Sequence, residues 1–202
     1  MLAATAQATD RPKLVDAVKP QAGGQALKGK FLNYIYAISP EHKKPGYNVV
    51  GDYLHEGYAY TEGPYDGAFF EFFLFRGKGK DLVFERASGY EIQRMQYGFE
   101  HTAFWFRDGK KTKAKLQDVL PTREMDRIFT AGKKHTGPEW KNYRVLELPK
   151  VGTTARLELC KDEPDPPFLT ETPCLKVGEL SWDKEKFTAK PIKRPELVTE
   201  KL

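Results

Sequence analysis

Cysteine, serine and histidine are scarce in this chain, and each scarcity removes a class of chemistry. Two cysteines, three serines and four histidines stand among 202 residues. None of Ser39, Ser88 or Ser181 sits in a G-x-S-x-G elbow, and Ser88 lies in an ordinary turn sequence, Arg86-Ala87-Ser88-Gly89-Tyr90. Gly77-Lys78-Gly79-Lys80 has neither the G-x-x-x-x-G-K-[ST] spacing nor the following helix of a phosphate loop. Acyl and phosphoryl transfer therefore gain no support. Long apolar runs are missing too. The longest, Ala68 to Phe75, contains Glu71 and is far shorter than the ~18 residues a spanning helix needs. No transmembrane segment is expected, and the alternation is too ragged for an outer-membrane barrel. Proline is nearly absent from the centre, Pro64 being the only one between Gly46 and Leu120.

What the chain does have is aromatic side chains: 13 Phe, 10 Tyr and 3 Trp, enough for a core and too many for a wholly disordered chain. Its length suits one domain, and 33 basic against 28 acidic residues give a modest charge of +5. Residues 30–108 hold most of the aromatics, and a proline-poor, Phe/Tyr-rich stretch punctuated by Gly- and Lys-bearing turns reads as strands. Strands are predicted near 30–38, 47–61, 67–76, 81–88, 94–107, 111–118, 143–148, 154–160, 174–181 and 185–189. One short helix is predicted at 122–131, capped by Thr122, stopped by Gly132, with Met125, Ile128 and Phe129 on its buried side. So many strands with so little helix predict an all-β fold, an antiparallel sandwich or barrel, with α+β as the alternative. Apart from Glu71, the runs Ala68–Phe75 and Phe104–Phe106 are apolar on both faces, which suggests a sheet covered twice or a barrel packed against something.

Composition divides the chain into three parts. Residues 1–29 read as a linker, largely disordered, with Ala6-Gln7-Ala8 resembling the tail of a signal peptide but lacking its charged and apolar regions. A short helix over Asp10–Val18 would fit there. Residues 30–189 form the β-rich domain, and 190–202, with Pro191 and Pro195 among charges, a charged C-terminal tail.

The two cysteines end one alternating run and begin another. Pairing Cys160 with Cys174 in an antiparallel register also sets Glu158 against Lys176, Leu159 against Leu175 and Leu157 against Val177. A Cys160–Cys174 disulfide is therefore expected, and with it an oxidising compartment, periplasmic or extracellular.

A meander places Phe75 opposite Leu82, Phe73 opposite Phe84, Glu71 opposite Arg86 and, at the turn, Arg76 opposite Asp81. Asp108-Gly109 supplies a second hairpin turn. The turns after the strands near 67–76 and 94–107 then lie at one end of the sheet. They gather Arg76, Lys78, Lys80, Arg107, Lys110, Lys111 and Lys113, opposed only by Asp81 and Asp108. This basic sheet end is the candidate ligand-binding site. The plain alternative is that these lysines keep strand edges soluble.

His55 and His101 each adjoin a glutamate, but strand neighbours point to opposite faces. A metal-assisted or hydrolytic site would need the two histidines to converge with carboxylates such as Asp52. His101 otherwise reads as half-buried among aromatics, and His42 as a solvated loop residue. Tyr47, Tyr53, Tyr58, Tyr60 and Tyr65, interleaved with glycines, could stack on sugars or form the core and rim of a sheet. With no coherent catalytic constellation, the expectation is a non-catalytic binding domain. Its partner would be a protein, a glycan, an anionic ligand or a small apolar molecule; no cofactor or metal is expected. A hydrolase built on His55 and His101 is one alternative. A nucleic-acid-binding barrel is another, disfavoured by acidic residues scattered through the chain.

Overall fold

The computed structural model describes residues 25–26, 29–51, 57–62, 69–88, 100–161 and 173–198. Seven antiparallel strands form one sheet in sequence order: β1 (Gln25–Ala26), β2 (Asn48–Gly51), β3 (Tyr58–Glu62), β4 (Phe69–Phe75), β5 (Asp81–Ser88), β6 (Glu100–Arg107) and β7 (Lys110–Ala114). A second antiparallel sheet has the order β11-β10-β9-β8, from β8 (Tyr143–Glu147), β9 (Thr154–Cys160), β10 (Cys174–Trp182) and β11 (Phe187–Val198). Both are meanders, so every pairing joins neighbours in sequence. The fold is the all-β sandwich that the sequence predicts.

The two-faced apolar runs are explained by two cores. Phe73, Phe75, Leu82 and Phe84 of the large sheet meet Leu157, Leu159, Leu180, Trp182 and Phe187 of the small one. Their neighbours Phe72, Leu74, Val83 and Phe106 face the other way, onto a helix, α1 (Lys30–Ile38). The large sheet is thus covered on both sides, the first of the two arrangements its apolar runs suggest.

That helix corrects the strand expected at 30–38. Phe31, Tyr34, Ile35 and Ile38 follow helical spacing, and the first three are buried on the sheet. Their aromatic and β-branched character imitates a strand, but packing onto a flat apolar face selects the period of 3.6. Tyr34 stacks on Phe106 with ring centroids 4.0 Å apart. After α1 the chain makes a 3-10 turn, Pro40–Lys43, which tucks His42 beneath it. His42 is 1% exposed among Tyr47, Phe70 and Phe72, not solvated as expected.

Other boundaries move for local reasons. The strand expected over 47–61 is two, β2 and β3, and residues 111–118 divide into β7 and a short helix, α2 (Leu116–Val119). The helix expected at 122–131 is α3 (Thr122–Gly132), with Pro121 rather than Thr122 in the capping position. Gly132 does not end it through a left-handed turn. Its φ is −65°, and a Cβ there would lie 2.6 Å from Val177 Cγ1, so this glycine permits the helix to approach the sheet. The Asp108-Gly109 turn behaves as expected, both residues having positive φ.

β11 overturns the C-terminal boundary at 189: the segment read as a charged tail continues pairing with β10 to Val198. Proline is tolerated because β11 is an edge strand. The Asp10–Val18 helix, the signal-like residues and nearly all of the 1–29 linker lie outside the described residues, as do 94–99 of the strand expected at 94–107.

The predicted registers hold with one correction. Phe75 pairs with Leu82, Phe73 with Phe84, Glu71 with Arg86, and Cys160 with Cys174. A bulge at Val177 displaces the last expected pair, so Gly178 and not Val177 stands opposite Leu157. Asp81, just past the last paired residues of β4 and β5, accepts hydrogen bonds from Lys30 Nζ at 3.0 Å and Tyr34 Oη at 2.9 Å.

The Cys160–Cys174 disulfide is formed, with Cys160 buried. Glu158 lies beside it, but sulfurs bonded to each other are not thiolate ligands. Lys176 reaches Glu179 at 2.7 Å, and Glu158 accepts from Arg156 Nε at 2.6 Å.

Candidate functional site

The basic end is assembled by three hairpin turns, one more than sequence reasoning found. The β4–β5 turn carries Arg76, Lys78 and Lys80. Gly77 makes its tightness attainable: a Cβ would lie 2.3 Å from the Lys80 carbonyl and 2.8 Å from that of Lys184. The second approach marks where the β10–β11 turn docks. Lys78 N donates to Lys184 O at 3.1 Å, and Trp182 Nε1 donates to Arg76 O at 2.9 Å. This contact brings Lys184 and Lys186 to the same end. A hairpin at 183–186 is visible in the sequence, but the end it occupies depends on how two sheets stack.

The β6–β7 turn stands two strand spacings away, roughly 10 Å, with Arg107 paired to Lys110. Lys80 links the two turns, its ammonium 3.6 Å from the centroid of the Trp105 ring on β6. Trp105 and Trp182, with centroids 6.2 Å apart, and Phe75 and Phe187 form the aromatic floor beneath.

Not all seven predicted residues play one part. Lys111 donates to Ala37 O at 2.6 Å and lies over Phe104, so it fastens the C-terminal turn of α1. Lys113 shares that side of β7. Lys78 meets Glu185 at 3.5 Å with both side chains largely exposed, a weak pair.

The acids here are largely committed. Burial would push the Asp81 carboxyl up, but the Lys30 and Tyr34 hydrogen bonds outweigh it and hold the group below its usual range. Asp183 is held low by the backbone N–H groups of Lys186 and Glu185, which cap the turn. Arg107, Lys110, Lys184 and Lys186 are exposed; Lys186 lies within electrostatic reach of Asp183. An anion reaching this end therefore meets several exposed cations at the mouth of a sandwich.

A second polar group crosses the core. Tyr60, Glu71, Arg86 and His101 face one another in register along four strands. Arg86, 6% exposed, forms an ion pair with Glu71 and reaches Glu147 of the other sheet at 2.8 Å. Tyr58 donates to Glu71 at 2.7 Å. Burial and the adjacent Glu71 carboxylate raise the Tyr58 hydroxyl well above its ordinary pKa. Burial works against the Arg86 cation, but Glu147 and Glu71 more than restore it. Tyr58 and Arg86 are thus locked in their protonated forms, which suits an inter-sheet clamp and not proton transfer. His101 is half-buried beside Arg86, while His55 and Asp52 lie outside the described residues.

Tyr58 is core and Tyr60 and Tyr47 are half-buried, so these three follow the core-and-rim reading; Tyr53 and Tyr65 lie outside the described residues. Ser39 is buried, donating to Glu85 at 2.6 Å, and Gly77-Lys78-Gly79-Lys80 joins two strands with no helix following. Among the described residues no helix is long and apolar enough to cross a membrane. No protein-family model, no curated protein and no solved structure matches this chain.

Proposed function

We propose that the protein is a non-catalytic binding domain, secreted or periplasmic, whose basic sandwich end takes an anionic group of a glycan or partner protein. The observation that carries this reading is the docking of the β10–β11 turn on the β4–β5 turn. It adds Lys184 and Lys186 to an end already holding Arg107 and Lys110, while Asp81 and Asp183 are occupied internally. The disulfide supports an oxidising compartment. The buried polar row supports stability and not turnover, because Arg86 and the adjoining Tyr58 are held in their protonated forms.

The test is binding to immobilised heparin, a generic polyanion, by wild type and by the variant R107A/K110A/K184N/K186A. Asn is chosen at 184 because Lys184 has a φ of 80°, which Asn tolerates. All four side chains are exposed, so thermal stability should not change. Affinity should fall about tenfold or more at 0.1 M salt, with a shallower salt dependence. Unchanged affinity and salt slope would remove the proposal.

A further inference from the structure

The basic end does not stop at the turn. From Lys184 and Lys186 the chain enters β11, which forms one edge of the small sheet and carries Lys190, Lys193 and Arg194, all exposed. Phe187 and Ala189 pack inward, so Lys186 and Lys190 share the outward face. Glu179 stands opposite Lys190 in register, but its carboxylate is held by Lys176 at 2.7 Å.

The register then breaks. Lys176 pairs with Glu196 and Gly178 with Pro191, so Ile192, Lys193, Arg194 and Pro195 all stand opposite the single residue Val177. Lys193 and Arg194 lie in this bulge and are both exposed. Lysines on an edge strand commonly serve to prevent strand-to-strand association. Here two prolines and a bulge already spoil the edge for that pairing, so the cations are surplus to the purpose. They also continue an independent basic cluster instead of standing alone.

We propose that β11 extends the basic end into a linear track for a chain polyanion, namely a sulfated glycan. This rests on the binding function proposed above and specifies its ligand. The ten residue steps from Lys184 to Arg194, at about 3.3 Å each, give a track of up to about 30 Å, shortened by the bulge. A compact anion fills only the end; a chain of several charged units engages both parts. The track offers no stacking platform, since its only aromatic, Phe187, is 2% exposed. A ligand with charge but no bases fits that surface better than a nucleic acid strand does.

The test measures affinity for heparin oligosaccharides from tetra- to dodecasaccharide. Wild type, R107A/K110A/K184N/K186A and K190A/K193A/R194A are compared, with K190R/K193R/R194K as the charge-keeping control. Wild-type affinity should rise at least tenfold with chain length. K190A/K193A/R194A should keep tetrasaccharide affinity within twofold and lose that rise, and the control should retain it. If K190A/K193A/R194A matches wild type at every length while the end variant is weakened, the track is overturned and the binding end survives. If both variants match wild type, both readings fall. Tighter binding of a single-stranded oligonucleotide of equal charge overturns the glycan assignment.

Discussion

Replacing Arg86 with methionine should be among the most damaging single changes in this molecule. Arg86 lies in the inter-sheet core, bridges Glu71 of β4 to Glu147 of β8, and is 6% exposed. Methionine approximates its length but cannot neutralise either carboxylate. Glu71 would keep the Tyr58 hydroxyl at 2.7 Å and lose its buried cation, and Glu147 would lose the bond that ties the small sheet to the large one. Removing one member of a buried ion cluster typically costs about 3–5 kcal/mol, because the opposite charge stays desolvated. The cluster as a whole contributes far less than that, since burying it is itself costly. R86M/E71L/E147L/Y58F, which removes both carboxylates and the hydroxyl that would otherwise lack an acceptor, should recover most of the loss. Urea unfolding followed by tryptophan fluorescence reads this directly, because Trp105 and Trp182 belong to the same core. A loss below about 1 kcal/mol in R86M at unchanged m-value would refute the clamp. So would a quadruple variant no more stable than the single one.

Three further outcomes follow from single contacts. Removing the disulfide as C160A/C174A should cost about 3 kcal/mol in the chain-entropy account of a loop with sequence separation 14; two titratable thiols in folded wild type would contradict it. His42 should make the protein acid-sensitive. Burial lowers its pKa, partly opposed by Glu41, so the unfolded chain takes up the proton first, and stability, complete above about pH 6.5, falls as pH drops below it. H42F should remove that component of the acid sensitivity, and identical pH profiles for both proteins would exclude it. Gly178→Ala would set a methyl 2.7 Å from Ile128 Cγ2 and 3.1 Å from the Lys190 carbonyl, for a loss of about 1–3 kcal/mol in urea unfolding; a neutral result would mean α3 is not seated as described.

Much of the local pairing was legible before the structure. In a meander, each strand's partner is the next strand along, so turn position and alternation are enough to set Phe73 against Phe84 and Cys160 against Cys174. Helix α1 was missed because Phe, Tyr and Ile favour strands by composition, and only the apolar face beneath shows that the 31/34/35/38 spacing matters. The reach of β11 was missed because prolines and charges resemble a tail unless the strand is known to be an edge. Lys184 and Lys186 were overlooked for a related reason: they belong to the other sheet.

The amino-acid order alone therefore determined what short-range sterics and two-residue periodicity control: antiparallel strands, their hairpin registers, the disulfide and a large sheet buried on both faces. Tertiary structure decided what depends on how those units stack. It placed the β10–β11 turn against Gly77, Arg86 within reach of Glu147 and His42 under the 3-10 turn. These contacts join residues distant along the chain, and no periodic signal encodes them because each follows from the angle and offset at which two apolar faces come to rest.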